Sequence, residues 1–188
     1  MIEFSRPLVL ASGSPRRREL LAAAAIPFTV RTGAVVEAMF PAESPVAYVK
    51  RLAREKASAV EAAEDEIVLG ADTVVLAEGE ILEKPRGIED AVRMLKVLSG
   101  RKHEVITGVC LKRGLIERTA SAMTSVWFLP IDEGEIAAYA ESGEPMDKAG
   151  AYAIQGVASR WVEKIDGCYF NVVGLPVSLV WRELRNFG

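Results

Sequence analysis

From Ile67 to Leu76 the chain reads IVLGADTVVL, an apolar run long enough for a central strand but broken near its middle by a carboxylate. A charged side chain inside a buried strand costs several kcal/mol unless it is paired, hydrogen-bonded or metal-bound. Asp72 is therefore either a structural residue, bonded to backbone amides at a bulge beside Gly70, or part of a site. The close approach that Gly70-Ala71 permits and the adjacent Thr73 hydroxyl favour the site. Metal binding and general-base duty are both open to it.

The elements around this run mix two kinds of strand. Pro7 to Ala11 reads as a short buried strand followed by the small-residue loop Ser12-Gly13-Ser14. Pro15 then opens a helix through about Ala25, with Ser14 as N-cap. Phe28 to Val36 looks extended, and Ser44-Pro45 starts a helix that continues to Ala63. Glu78-Gly79 suits a turn into Glu80-Ile81-Leu82, and Ile88 to Leu98 is helical, with Gly100 as its stop. His103 to Lys112 and Ser121 to Phe128 read as paired strands around Arg113-Gly114. Asp132 and Glu135 form a capping-box-like start to a helix ending near Ser142-Gly143. Trp161 to Ile165, the Asp166-Gly167 turn and a helix from Pro176 to Asn186 complete the pattern. Buried parallel-type strands together with hairpins predict an α/β or α+β fold with a curved mixed sheet flanked by helices. No linker or internal repeat divides the chain, so residues 1–188 are expected to form one domain.

Composition removes several function classes. Lys plus Arg is 23 against 26 Asp plus Glu, a net charge of -3, which argues against a general nucleic-acid binder. It leaves room for a small anionic ligand held by a few placed cations. Cys110 and Cys168 are too far apart in sequence for a CxxC site, and the single histidine, His103, excludes histidine-rich metal centres. No apolar run approaches the ~20 residues of a membrane span, and Met1 to Arg6 shows no signal-peptide pattern. A cytoplasmic protein with no membrane partner is the expectation.

Two further features break local rules. Arg16, Arg17 and Arg18 stand in the first turns of a helix whose N-terminus already carries positive partial charge. A solvated basic face would cost only about 0.3–1 kcal/mol. The strand-to-loop-to-helix junction instead favours an anion site built from backbone N–H groups, serine hydroxyls and the forks of Arg16 and Arg17, with Arg18 solvated. Lys56 falls within the apolar stripe of Val49, Leu52, Ala53, Ala57 and Val60. Spacing alone leaves open whether it snorkels or enters a polar pocket. Lys84, Glu37 and Gln155 carry no weight singly: each reads equally as a solvated or locally hydrogen-bonded residue. His103, Cys110 and the tryptophans Trp127, Trp161 and Trp181 read as structural.

Taken in order, these strings resemble the Maf family of nucleoside triphosphate pyrophosphatases over nearly the whole chain. The resemblance runs through Leu10 to Leu21 (LASGSPRRRELL), Ala53 to Ala57 (AREKA), Leu69 to Val75 (LGADTVV) and Glu83-Lys84-Pro85. It continues through Leu98 to His103 (LSGRKH), Thr107-Gly108-Val109, Gly143 to Gly156 (GEPMDKAGAYAIQG) and Val173 to Pro176 (VGLP). It implies hydrolysis of a nucleoside triphosphate to the monophosphate and pyrophosphate with a divalent cation, Mg²⁺ or Mn²⁺. It also implies two lobes around a nucleotide-binding cleft, often in a homodimer. The block from Asp147 to Gly156 is like the branch acting on dTTP and UTP. There, residues matching Arg16, Thr73 and Gln155 are associated with substrate choice, and the one matching Asp72 with proton acceptance. Two departures are Val36-Glu37, where relatives often carry adjacent acids, and Ala153, where glycine is usual.

Residue chemistry and resemblance then give one expectation. Ser12, Ser14, Arg16 and Arg17 hold phosphate oxygens, and Lys56 and Lys84 converge to neutralise the leaving pyrophosphate. Asp72, with Glu37, holds the metal and orients or deprotonates water. Gln155 reads the imide edge of uracil or thymine, modified pyrimidines included, in a house-cleaning role. The rival expectation is a non-catalytic nucleotide-binding regulator of septum formation, which needs the cradle but no water-activating carboxylate.

Overall fold

Strand β1 (Leu8–Leu10) lies between two parallel neighbours, β2 (Thr29–Val30) and β3 (Ile67–Ala77), and all three of its residues are buried. In the computed structural model, which describes residues 6–187, this trio begins a seven-stranded mixed sheet. The stretch Met1 to Ser5, part of the segment read for a leader, lies outside the described residues. The strand order is β2-β1-β3, then β5 (Lys102–Arg113), β6 (Ile116–Phe128) and β7 (Val162–Asp166). Strand β4 (Glu80–Leu82) pairs antiparallel with the far end of β3, and β7 pairs antiparallel with β6. The expected mixed α/β architecture is what the chain forms.

The helices are α1 (Pro15–Ala23), α2 (Pro45–Ser58), α3 (Ile88–Leu98), α4 (Glu133–Glu141), α5 (Tyr169–Val173) and α6 (Val177–Arg185). Contacts divide the chain into two units. The first holds the described chain up to Asp72, Thr107–Ala122 and the chain from Gly174 on; the second holds Thr73–Ile106 and Met123–Val173.

Within the first unit, the placement of α2 follows from small residues. Proline at its first position and the Ser44 hydroxyl, which accepts from the Ala47 N–H at 3.2 Å, start the helix. Tyr48, Val49, Leu52, Ala53 and Ala57 are its buried face, and Ala53 and Ala57 pack with Val9, Ala11, Val68 and Cys110. The backbones approach so closely that a Cβ on Gly70 would lie 2.0 Å from the Ala53 carbonyl oxygen. One on Gly108 would lie 2.3 Å from that of Val49.

The second unit has a different core. The amphipathic α3 buries Ala91, Met94, Leu95 and Leu98, and α4 buries Ile136, Tyr139 and Ala140. His103 is buried, edge-on to Phe128 and Tyr152, with Nε2 2.8 Å from the Tyr152 hydroxyl. Buried Asn171 donates from Nδ2 to the Val105 carbonyl (2.9 Å) and to Thr124 Oγ1 (3.0 Å), tying α5 to the sheet.

Several boundaries differ from expectation. Only Thr29–Val30 of the extended stretch joins the sheet, and the chain from 31 to 44 is irregular. Helix α2 stops at Ser58, short of Ala63. Arg31 supplies the reason: Nη1 donates to the Glu61 carbonyl (3.0 Å), and the guanidinium forks onto Glu66 at 2.6 and 2.7 Å. That tertiary anchor holds the segment as a loop. Strand β6 begins at Ile116, before Ser121, because the hairpin arms continue past the core with exposed residues. Ser14 occupies the N-cap position of α1, but its side chain makes no cap bond.

Two consequences are measurable. Gly70→Ala forces a Cβ against backbone that cannot yield, so urea unfolding should show a loss of about 1–3 kcal/mol or more. Burial lowers the His103 imidazole from an ordinary 6.5 to about 4. The folded state then binds fewer protons than the unfolded one between those values. The stability contributed by neutral His103 is whole above pH 6.5 and is lost as pH falls toward 4, by roughly 3 kcal/mol. Urea titrations across that window should show this slope in the wild type and a flatter one in His103→Gln.

Candidate active site

The close packing of α2 fixes the reach of Lys56. The residue sits in the helix's last turn, on the face turned to β3, and its ammonium meets two carboxylates. Nζ lies 2.6 Å from Asp72 Oδ1 and 2.6 Å from Glu37 Oε1. Of the two readings open for Lys56, the polar pocket is the one formed: its side chain is 16% exposed and that of Asp72 9%. Glu37 arrives from the irregular segment with its side chain 42% exposed.

That segment is held by a residue the sequence reading did not single out. Arg51, one turn before Lys56 on α2, donates from Nη2 to the Ala38 carbonyl (2.8 Å), immediately beyond Glu37. Its Nε and Nη2 also fork onto Glu43 at 2.8 Å each, Nη1 reaches Glu55 at 3.0 Å, and the Phe40 ring covers the guanidinium at 3.9 Å. The Arg51–Glu55 spacing was visible as a helical i,i+4 pair. The contacts to Ala38 and Glu43 depend on the path of a loop and had no sequence signal.

At the junction of β1 and α1, Arg17 is buried. Its Nη1 donates to Ser12 Oγ (3.1 Å) and to the Ala71 carbonyl (2.7 Å), and its Nε donates to the Gly174 carbonyl (2.9 Å). Burial lowers this guanidinium below its ordinary range, opposed by the nearby Asp72 carboxylate. Arg17 thus ties the loop to the residue before Asp72. Buried Ser12 also accepts from the Ser14 N–H at 3.3 Å. Arg16 and Ser14 are half-buried, and Arg18 is exposed.

The first unit therefore carries Ser12, Ser14, Arg16, Arg17, Glu37, Lys56 and Asp72, and direct contacts link Arg17 to Ser12, Ser14 to Ser12, and Lys56 to Asp72 and Glu37. The second unit carries Thr73, Lys84 and Gln155. Thr73 is half-buried on β3, Lys84 is exposed just after β4, and Gln155 is exposed in a turn.

Metal capacity rests on carboxylate oxygens. No group of three or more His, Cys, Asp or Glu side chains suited to an ion occurs among the described residues. Two carboxylates meeting on one cation nevertheless fit Mg²⁺ or Mn²⁺, since such hard ions commonly take one or two protein carboxylates and complete their shell with water and substrate phosphate.

A family model described as Maf-like protein matches residues 7–187. The chain is 51% identical to a dTTP/UTP pyrophosphatase of Koribacter versatilis, over 96% of this chain and 94% of that one. It is 51% identical to another of Vibrio cholerae, with 96% and 97% covered. A third, of Geobacter metallireducens, is 50% identical, with 100% and 99% covered. Among solved structures, the Ham1 protein of Staphylococcus aureus superposes with a TM-score of 0.56 at 12% identity, covering 97% of this chain and all of the other, a likeness of fold.

The ion pair can be tested by stability. Lys56→Met strands Asp72 in a buried position and should cost about 2 kcal/mol or more in urea unfolding. Combining it with Asp72→Asn should cost less than the sum of the single changes, the signature of coupling in a double-mutant cycle.

Proposed function

We infer from one premise, that the chain belongs to the Maf-like protein family, and from the geometry around Lys56, that it hydrolyses dTTP and UTP to the nucleoside monophosphate and pyrophosphate. Water attacks the α-phosphorus, the bond from that phosphorus to the oxygen bridging to the β-phosphorus breaks, and pyrophosphate departs. The observation that carries the reading is the buried Lys56–Asp72 pair with Glu37 on the same ammonium. It gives one place both a cation and a proton acceptor, and a passive nucleotide-binding protein would need only the cation.

In this reading Asp72 takes the proton of the attacking water. Lys56 holds that carboxylate in place through their 2.6 Å ion pair and offers positive charge to the phosphates. Asp72 and Glu37 hold Mg²⁺ or Mn²⁺, which when bound supplies charge neutralisation on the phosphates and a more acidic water. Arg16, Ser14 and the backbone N–H groups at the start of α1 take phosphate oxygens, while Arg17 from below holds Ser12 and the loop in shape. The remaining assignments come from the resemblance: Lys84 neutralises leaving-group charge, and Thr73 and Gln155 act with Arg16 in substrate choice. One Gln amide accepts from an imide N3–H and donates to its neighbouring carbonyl. Modified pyrimidine triphosphates with that edge fall within the same scope, which gives the enzyme a house-cleaning role. We place it in the cytoplasm as a homodimer. No helix among the described residues is long and apolar enough to cross a membrane.

Incubation of the protein with UTP or dTTP and Mg²⁺ or Mn²⁺ should release pyrophosphate and the monophosphate in equal amounts by phosphorus NMR. Orthophosphate as the first product would overturn the reaction. Asp72→Asn should lower kcat by about 10²-fold or more while remaining folded.

A further inference from the structure

We propose that Tyr139 and Glu144 form a clamp on the turn bearing Gln155 and act as positioning residues for the choice of nucleobase. The proposal rests on the reading of Gln155 as the residue that meets the base.

Gln155 stands in an irregular turn, exposed, where a Gly156 N–H to Ala153 carbonyl bond (3.0 Å) closes the backbone and a Ser159 N–H to Gly156 carbonyl bond (3.0 Å) follows it. A turn of that kind does not by itself hold a side chain to hydrogen-bonding precision. Two bonds tie it down, one on each side of the glutamine. The Ala153 N–H donates to the Tyr139 hydroxyl at 3.3 Å, and the Val157 N–H donates to Glu144 Oε1 at 3.2 Å. The two acceptors are joined, because the Tyr139 O–H donates to the same Glu144 oxygen at 2.9 Å. Flanking amides two residues before and two after Gln155 are thus fastened to one Tyr–Glu pair.

The pair is itself rigid. Tyr139 belongs to α4, is buried, and packs edge-on against Trp161 with ring centroids 5.1 Å apart. Glu144 begins the short turn after α4, and its backbone carbonyl accepts from Lys148 Nζ at 2.6 Å. Contact with the turn is tight: a Cβ on Gly156 would lie 1.9 Å from Glu144 Oε1. The backbone of Gly156, at φ -98° and ψ -153°, is extended, so a methyl group there would act by pushing the Glu144 carboxylate off the turn rather than by straining the chain. Hydrogen-bond strength falls steeply with distance and angle, so a shift of about 1 Å at Gln155 removes its hold on a base edge. Neither Tyr139 nor Glu144 has a place in the proposed phosphate or water chemistry. Loosening the clamp therefore changes which base is preferred while leaving the chemical step intact.

The test compares kcat and KM for UTP, CTP, ATP and GTP in the wild type and in Tyr139→Phe, Glu144→Ala, Glu144→Gln, Gly156→Ala and Gln155→Ala, each checked for folding by thermal melting. Tyr139→Phe, Glu144→Ala and Gly156→Ala should lower the preference for UTP roughly three- to tenfold, the worth of one hydrogen bond, through KM for UTP with kcat little changed. Glu144→Gln keeps an oxygen for both donors and should stay near the wild type. An equal fall for all four nucleotides would mark the pair as merely structural and overturn the proposal. So would an unchanged preference in Tyr139→Phe, the near-isosteric variant, while Gln155→Ala loses it. If Gln155→Ala itself leaves the preference unchanged, the base reading fails and the clamp fails with it.

Discussion

The approach of α2 to the sheet is the constraint from which the site follows. At Gly70 and Gly108 the helix rests against strands that present no side chain, and its own contact residues there include alanines. A methylene-length increase in that gap would carry the Lys56 ammonium away from Asp72, because the lysine stem is already spanning the space between a helix and a neighbouring strand. Packing and electrostatics are here one arrangement. The close-packed side of α2 sets the distance, and the last turn of the same helix uses it.

This also resolves the apparent conflict between a chain of net charge -3 and a phosphate substrate. The relevant charges are local and differently employed. Arg17 is spent inside the protein, under the loop it shapes, and Lys56 is shared between two carboxylates. Arg16 is the half-buried cation at the same helix start. The three consecutive arginines at the start of α1 thus have three different environments: Arg18 is exposed, as its sequence reading expects, while Arg17 is buried and Arg16 half-buried.

Much of this was legible in the residues, and the rest was not for identifiable reasons. The central strand with its intrusive Asp72, the helix over Ile88–Leu98, and Lys56 inside an apolar stripe were all readable from period and from the cost of burying charge. The ordered motifs carried the family. Element ends set by distant partners were not readable: the helical pattern past Ser58 continues in sequence, but Arg31 claims the carbonyl and carboxylate that follow. Arg17 looked like a ligand-binding fork, and only the tertiary structure shows its Nε and Nη1 bonded to protein oxygens. The turns between Gly143 and Trp161 have no period to detect, so the Tyr–Glu pairing that organises them was invisible.

Arg51 has a consequence for how this chain can vary. One guanidinium holds the backbone just after Glu37 and the carboxylate of Glu43, with the Phe40 ring lying over it between those points. The chain from Ala38 to Glu43 is therefore a span pinned at both ends to a single rigid post on α2. Side chains that face outward along that span are free to change. Its length is not: one residue more or fewer would leave a pin unfilled or pull Glu37 off its mark, so insertions in this exposed stretch belong on the far side of Arg51's reach.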